Sequence, residues 1–203
     1  SNPDPKRFTQ RFWVIGGDRQ PRLARDDKRT MTTVETRELL DVKARLQDMD
    51  SLDVQTHVMY PTLFLVQPTT KPEVDVAIKR SYNRWLGDRS DESGGRLRWA
   101  CLPPLMDLDE TTKEMRWAKD HGAVAVFKKG NQEAGKSLTD EYFDPFWHTA
   151  DELEMPVCIH IGSGIPNTRE NRTETDARGA RVPFASLPDA FTSLVMKKIP
   201  HRH

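Results

Sequence analysis

The sequence lacks an excess of charge of either sign. Its 203 residues include 31 basic and 31 acidic side chains, so the formal net charge at pH 7 is zero. A strongly basic chain attracts nucleic acid or anionic membranes through its overall field, and a balanced chain does not. Long hydrophobic runs are also missing: the mean hydropathy is −0.72, and no run approaches the roughly 18–20 apolar residues of a membrane-spanning helix. We therefore expect neither a nucleic-acid partner nor a membrane partner.

Cysteine is scarce, and so is any sign of export. The two cysteines, Cys101 and Cys158, each lie inside an apolar run. Such positions are typical of small buried side chains in a reducing compartment rather than of a disulfide. Residues 1–11 are polar and basic and have no apolar core of the kind found in signal peptides. We therefore expect a cytoplasmic protein.

The beginning of the chain differs in composition from the rest. Residues 1–31 carry charge, proline and glycine with little periodicity, and we interpret them as an irregular basic arm. Within this arm, residues 12–17 are a candidate for a short strand that ends in a turn. A solvated loop is favoured over a phosphate-binding patch. Residues 32–203 then form one domain, which is long enough to bury a hydrophobic core.

Four strand–helix units follow one another in this domain. Short apolar runs predict strands at residues 53–61, 97–102, 123–127 and 156–161. Capping and spacing signals predict helices that begin near Thr32, Pro72, Asp107 and Asp144, with a last helix at residues 187–198. Because the strands are continuously apolar, they should be buried on both faces, as in a parallel sheet covered by helices. The sequence therefore predicts an α/β fold.

Three features of these predicted helices can be assigned to particular residues. Thr32 and Glu35 have the spacing of a capping box, for a helix that continues to Met49. Asp144 has the position of an N-cap residue, with proline after it. The helix that begins near Pro72 has an apolar face made of Val74, Ala77, Ile78, Tyr82, Trp85 and Leu86.

Long connections follow the strands, whereas short ones precede them. Residues 128–143 and 162–183 link strands to the next helices, while single residues link helices to the next strands. Long loops at the carboxyl ends of parallel strands are where α/β proteins carry their active sites. Lys128 and Thr62 each follow a predicted strand, so both are candidates to bind a substrate at this face. For each of them a solvated side chain is the alternative interpretation.

The string at residues 130–137 matches the phosphate-binding pattern G-x-x-x-x-G-K-[ST] and follows a predicted strand. A working loop of this kind requires a helix to begin at Lys136 and Ser137, so that its N-terminus binds the phosphates. The first strong helix start is Asp144, and Glu133 would place a carboxylate beside the phosphates. We favour a polar loop and keep a nucleotide-binding loop as an alternative.

His160 is the most informative histidine. It lies at the end of the predicted strand at residues 156–161 and is followed by Ile-Gly-Ser-Gly, which lets backbone approach a ligand closely. The residues alone leave two interpretations open, a buried core histidine and a metal ligand. His57 lies inside its strand, and we interpret it as a structural histidine.

Five segments, in this order, resemble a known family. They are residues 60–62 (Tyr-Pro-Thr), 82–86 (Tyr-Asn-Arg-Trp-Leu), 96–99 (Arg-Leu-Arg-Trp), 142–145 (Tyr-Phe-Asp-Pro) and 158–164 (Cys-Ile-His-Ile-Gly-Ser-Gly). Together they resemble the amidohydrolase-related, decarboxylase-type branch of the amidohydrolase superfamily, which includes aminocarboxymuconate-semialdehyde and resorcylate decarboxylases. The resemblance implies a TIM (β/α)₈ barrel that binds one divalent metal ion, zinc or manganese. It also implies that His160, on the fifth strand, is a metal ligand.

The resemblance is partial. The family's first strand carries a His-x-His or Glu-x-His ligand pair, whereas the pattern occurs here only at residues 201–203, outside a strand context. The later strands, which supply a catalytic histidine and a metal-binding aspartate, have no counterpart in the sequence. We therefore expect an incomplete barrel with strands two to five, and we assign no catalytic residue.

The resemblance implies a metal-dependent decarboxylase or hydrolase of a small carboxylate or amide substrate, and we expect this fragment to be inactive by itself. One alternative is a non-catalytic half-barrel. Its open strand edges would favour self-association, so a homo-oligomer is an expected state. A nucleotide-binding protein is the less favoured alternative.

Overall fold

The computed structural model describes residues 11–22, 32–62, 64, 67–130, 132–160 and 186–202. The strands in these residues are β1 (Arg11–Ile15), β2 (Asp18–Arg22), β3 (His57–Met59), β4 (Leu97–Cys101), β5 (Ala123–Lys129) and β6 (Val157–His160). The helices are α1 (Val34–Arg37), α2 (Val42–Ser51), α3 (Pro72–Glu92), α4 (Leu108–Asp120), α5 (Asp144–Glu152), α6 (Ser186–Met196) and α7 (Ile199–Arg202). A 3-10 turn at Glu141–Phe143 precedes α5.

Strands β3 to β6 form one sheet, and their order in space follows their order in the chain. All three neighbouring pairs are parallel, and α3, α4 and α5 connect one strand to the next. Parallel neighbours need a crossover connection, which is usually a helix. The predicted α/β fold with four parallel strands is therefore confirmed, and the strand predicted at residues 123–127 extends to Lys129.

The two faces of this sheet have different surroundings. Val126 of β5 packs in a cluster with Phe146 of α5 and other helix residues, so we call its side the helix-covered face. Phe127 belongs to a separate cluster, together with Phe64, Ala100, Leu102 and Ala125, and we call its side the opposite face. Because side chains alternate along a strand, Lys128 belongs to the helix-covered face and Lys129 to the opposite face.

Strands β1 and β2 form an antiparallel hairpin within the predicted arm. Its turn contains Gly16 and Gly17 with φ of 59° and 94°, which is the left-handed backbone that two-residue hairpin turns require. The Lys71 ammonium donates a hydrogen bond to the carbonyl of Gly16 at 2.7 Å. The candidate strand and turn at residues 12–17 are thus confirmed, whereas β2 is regular where we expected irregular chain. The division into an arm and a domain at residue 31 stays a prediction.

The first predicted helix is two helices. Thr33 caps α1 by accepting a hydrogen bond from the backbone N–H of Thr36, so the prediction of Thr32 as the cap is wrong by one residue. The backbone then reverses at Leu39, where φ is 54°, a value that no continuing α-helix allows. A second cap, Asp41, begins α2 by accepting from the N–H of Ala44.

The start of α5 also differs from the prediction. Asp144 is its first helical residue rather than its cap. The capping carboxylate lies one turn earlier, where Asp140 accepts a hydrogen bond from the N–H of Tyr142 at 2.9 Å and begins the 3-10 turn. The last predicted helix, at residues 187–198, is observed as Ser186–Met196.

The predicted apolar face of helix α3 is confirmed in part, since Leu86 is buried and Ile78 and Tyr82 pack against the core, but the helix also buries a polar face. Asp75, Lys79 and Asn83 are buried, whereas Trp85 of the predicted face is 38% exposed. Asn83 explains part of this difference, because it donates to the carbonyl of Leu102 at 3.1 Å and accepts from its N–H at 3.0 Å. These bonds satisfy backbone groups just beyond the end of β4, which water cannot reach.

A second polar contact joins α3 to α4. Glu114 of α4 is 1% exposed and accepts hydrogen bonds from Arg80 at 2.8 Å and from both terminal nitrogens of Arg84 at 3.0 and 2.9 Å. The Arg84 guanidinium also lies 3.5 Å from the ring centre of Trp117. A β-carbon on Gly87 would lie 2.6 Å from that ring. An alanine at position 87 would therefore force the Trp117 ring to move.

Three smaller expectations concern single residues and the helices as a group. Cys101 and Cys158 are free thiols. His57 is the first residue of β3 rather than lying inside the strand, and it is exposed. Its Nδ1 lies 3.4 Å from Nη1 of Arg45, and partial burial, together with this guanidinium, lowers the pKa of His57. Among the described helices, none is both long and apolar enough to cross a membrane.

Candidate functional site at the carboxyl edge of the sheet

The carboxyl ends of β5 and β6 bring the candidate residues together. Lys128 and Lys129 end β5, and His160 ends the described part of β6. In the parallel register Lys129 is paired with His160 and Phe127 with Cys158. This edge is where the sequence predicts the site.

His160 is partly exposed at this edge. Its ring centre lies 5.7 Å from that of Phe127, which places both side chains on the opposite face. Its carbonyl accepts a hydrogen bond from the N–H of Gly130 at 2.9 Å, which ties β6 to the loop after β5. This position, at the carboxyl edge of the sheet, is one from which a side chain can contact a bound metal ion or substrate. The role of His160 as a metal ligand stays a prediction.

The described residues do not by themselves form a metal site. No three histidine, cysteine, aspartate or glutamate side chains in this part of the chain lie close enough to hold one ion. Catalytic zinc sites use three protein ligands, and a single imidazole does not satisfy that requirement. The His-x-His pattern contributes His201 on the short helix α7, while residue 203 and residues 161–164 lie outside the described residues.

Lys128 lies inside the protein rather than in solvent. Its side chain is 0% exposed, and Nζ lies 3.3 Å from Oε2 of Glu133. The ammonium also faces the ring of Phe143 at 3.9 Å from the ring centre. The alternative interpretation of Lys128 as a solvated side chain is therefore wrong. Direct contact with a substrate stays a prediction for Lys128.

Lys128 belongs to a buried group of charges that we call the lysine cluster. Its members are Lys79, Lys128, Lys129, Asp75, Glu133 and the amide of Gln67, and none is more than 6% exposed. The ion pairs join Nζ of Lys79 to Oδ2 of Asp75 at 3.0 Å, and Oε1 of Glu133 to Lys129 at 3.7 Å and to Lys79 at 4.0 Å.

Gln67 connects the two ends of this cluster. Its carbonyl oxygen accepts a hydrogen bond from Lys129 at 3.2 Å, and its amide donates to Oδ1 of Asp75 at 2.8 Å. The same amide donates to the carbonyl of Thr69. The loop between β3 and α3 is therefore fastened to the end of β5 through one side chain.

The cluster lowers the pKa values of three of its members, but for different physical reasons. Burial lowers the pKa of Lys128 and of Lys129, and the attraction of Glu133 only partly opposes it. For Glu133, burial acts to raise the pKa, but Lys128, Lys129 and Lys79 outweigh it and hold the pKa below its ordinary value. Glu133 is therefore a carboxylate, held in place by the amines around it.

The phosphate-loop pattern at residues 130–137 is a tight turn. The N–H of Glu133 and the N–H of Lys136 each donate to the carbonyl of the other at 3.0 Å. Ala134 and Gly135 between them have φ of 53° and 72°, as in a type I′ turn. These N–H groups are already bonded, and α5 begins only at Asp144. The nucleotide-binding interpretation is therefore wrong, because the backbone offers no helix N-terminus to a phosphate.

Thr62 is exposed, in the bend that follows β3, whereas the members of the lysine cluster are buried. The role of Thr62 in substrate binding stays a prediction. Tyr60, two residues earlier, contacts β6, since its hydroxyl is 3.3 Å from Sγ of Cys158. This hydrogen bond, with a smaller effect of burial, raises the pKa of Tyr60.

The sequence indicated part of this arrangement and missed the rest. Lys128 was a candidate, but Lys129, Asp75 and Lys79 were not, and Glu133 counted only as an objection to a phosphate loop. A signal existed in the spacing of Asp75 and Lys79, which lie one helical turn apart near the start of α3. Nothing in the sequence pairs them with β5, because that contact joins distant segments.

The comparison with protein families identifies the class. A sequence profile of the amidohydrolase family (Amidohydro_2) matches residues 39–195, which is most of the chain. The chain belongs to this amidohydrolase family. The resemblance stated from the five sequence segments is confirmed.

Several solved structures share the fold. An amidohydrolase from Mycobacterium avium subsp. paratuberculosis K-10 superposes with a TM-score of 0.63 at 22% identity, over 79% of this chain and 45% of that chain. The 5-carboxyvanillate decarboxylase of Novosphingobium aromaticivorans, with bound manganese and 3-methoxy-4-hydroxy-5-nitrobenzoic acid, has a TM-score of 0.63 at 18% identity, over 84% and 52%. The 2,6-dihydroxybenzoate decarboxylase from Rhizobium has a TM-score of 0.56 at 20% identity, over 76% and 52%. No curated protein sequence matches the chain.

The present chain spans 45% to 52% of the length of the three structures just described. At such identities the likeness shows the fold alone. The four parallel strands form a half-barrel that corresponds to part of a TIM barrel, as predicted.

Proposed function

We propose that this chain is the part of a metal-dependent decarboxylase or hydrolase of the amidohydrolase family that carries one metal-binding histidine, His160. The observation that carries the proposal is the position of His160 at the carboxyl end of β6, within the residues that match the family. Carboxyl ends of parallel strands are where barrels of this type place their chemistry.

The substrate in this proposal is a small carboxylate or amide. One solved relative is a 2,6-dihydroxybenzoate decarboxylase with 2,6-dihydroxybenzoate bound, and another holds manganese with a substituted nitrobenzoic acid. Both ligands are aromatic carboxylates, which favours that class here. Manganese or zinc is the proposed metal, and Thr62 and Lys128 are the proposed contacts to the substrate.

One imidazole is not enough for catalysis. The metal would need further protein ligands, which the described residues do not supply. We therefore assign the activity to the complete protein and expect this chain by itself to be inactive. A cytoplasmic location belongs to the same proposal. So does self-association, which the exposure of Val58 in the edge strand β3 and of Tyr60 just after it favours. Sedimentation that does not depend on protein concentration would contradict self-association.

A metal measurement tests the proposal. The product of the complete gene is equilibrated with manganese or zinc, dialysed, and analysed for bound metal, and then assayed with hydroxybenzoic acids. We expect one bound ion and metal-dependent release of carbon dioxide or hydrolysis. His160→Ala should lower the metal content, whereas His148→Ala, on α5, should not. A protein that binds no metal and has no metal-dependent turnover would support the non-catalytic half-barrel instead.

A further inference from the structure

The lysine cluster carries more positive charge than negative charge. Among the described residues, its three amines, on Lys79, Lys128 and Lys129, face two carboxylates, on Asp75 and Glu133, and all five side chains are at most 6% exposed. A buried charge without a partner is costly, because neither water nor an opposite charge stabilises it. Within the described part of the chain, the cluster therefore has one more amine than it has carboxylates, and one further negative charge would balance it.

Lys129 is the amine that a ligand at the sheet edge would meet. Strand alternation puts it on the opposite face, and the parallel register pairs it with His160. Lys128 lies on the helix-covered face against Phe143, and Lys79 belongs to α3. Among the three amines of the cluster, only that of Lys129 shares both the strand end and the face of His160.

The present partners of Lys129 leave room for a stronger acceptor. Its hydrogen bond goes to the neutral carbonyl oxygen of Gln67 at 3.2 Å. The carboxylate of Glu133, at 3.7 Å, is beyond hydrogen-bond distance and is shared with two other amines. A carboxylate in place of the Gln67 oxygen would add the attraction of an opposite charge to the hydrogen bond from the ammonium.

We infer that Lys129 binds the carboxylate group of the substrate and that Gln67 holds its amine in position until the carboxylate replaces the amide oxygen. This inference rests on the proposed function and adds a binding residue to it. The ligand is a small organic monocarboxylate, whose single charge balances the cluster. The neutral amide of the same acid lacks that charge and should bind poorly.

Calorimetric titration of the metal-free 203-residue chain tests the inference without any need for turnover. The probes are 2-hydroxybenzoate and its neutral analogue 2-hydroxybenzamide. We expect 2-hydroxybenzoate to bind about tenfold more tightly than the amide, which corresponds to about 1.4 kcal/mol. Lys129→Met should remove this preference, and Lys129→Arg should retain most of it. Lys136→Met, in the neighbouring turn but outside the cluster, is the control for overall charge and should behave like the unaltered chain.

Several results would overturn the inference. One is equal affinity for the acid and the amide, and another is no binding of 2-hydroxybenzoate at about 20 mM. A third is a larger loss of affinity for 2-hydroxybenzoate in Lys128→Met than in Lys129→Met. Circular dichroism checks that each variant is folded. If Lys129→Met does not fold, the acid–amide comparison on the unaltered chain, with Gln67→Leu as the second variant, decides the question. Because no metal is added, failure of the metal-dependent function would leave this result unaffected.

Discussion

Removal of the charge on Glu133 should destabilise the protein strongly, and the loss should shrink as the pH rises. The substitution Glu133→Gln keeps the shape of the side chain but leaves three buried amines with Asp75 as their carboxylate partner in the cluster. Breaking a buried ion pair by removing one partner costs about 3–5 kcal/mol. A buried amine can escape part of this cost by releasing its proton.

The free-energy cost of deprotonating a buried lysine depends on pH, and it sets the pH dependence of the destabilisation. Relative to the ordinary lysine pKa of 10.5, deprotonation costs about 4.8 kcal/mol at pH 7 but only about 1.4 kcal/mol at pH 9.5, at about 1.36 kcal/mol per pH unit. We therefore expect Glu133→Gln to lower the free energy of unfolding by about 3–5 kcal/mol at pH 7 and by about 1–2 kcal/mol at pH 9.5.

Urea unfolding followed by tryptophan fluorescence at both pH values measures this difference. Glu141→Gln is a suitable control, because Glu141 is exposed in the adjacent 3-10 turn, and such surface changes usually stay within about 0.5 kcal/mol. A loss below about 1 kcal/mol at pH 7, or an equal loss at both pH values, would show that the amines do not depend on Glu133.

Two further predictions concern packing and acid. Gly87→Ala should cost about 1–3 kcal/mol of unfolding free energy in the same assay, because its β-carbon would lie 2.6 Å from the Trp117 ring; an unchanged midpoint would contradict this close approach. Since the pKa of Glu133 is held below its ordinary value of 4.5, its contribution to stability is fully present above pH 4.5 and is lost as the pH falls through the lowered pKa. Acid titrations should therefore show a steeper loss for the unaltered chain than for Glu133→Gln, and parallel curves would count against it.

The sheet could be predicted because its signals are local. Each strand of the parallel sheet was predicted from a short apolar run. Proline or glycine marks one boundary of such a run, as Pro103 does after β4 and Gly122 does before β5. The first residue of a helix is harder to predict, because neighbouring residues can serve equally well as its cap. Thr32 and Thr33 are adjacent and chemically equal as caps, and only the backbone geometry selects Thr33.

The lysine cluster could not be predicted from local patterns. Read along α3, Asp75 and Lys79 have the composition of a solvated helix face, and Lys129 resembles the beginning of a polar loop. Their burial results from contacts of α3 with β5 and with the turn at Glu133, both of which lie far from α3 in the chain. A one-dimensional pattern records which residues are charged, but it does not record that several charges share one enclosed volume.

The order of the strands has a consequence for how the chain acquires its structure during synthesis. Because β3, β4, β5 and β6 are neighbours in space in the order in which they leave the ribosome, each new strand can pair with one that has already emerged. No later segment has to enter between two earlier strands, and the separation between paired strands remains that of one helical connection. The sheet can thus grow at one edge while the rest of the chain is still being translated.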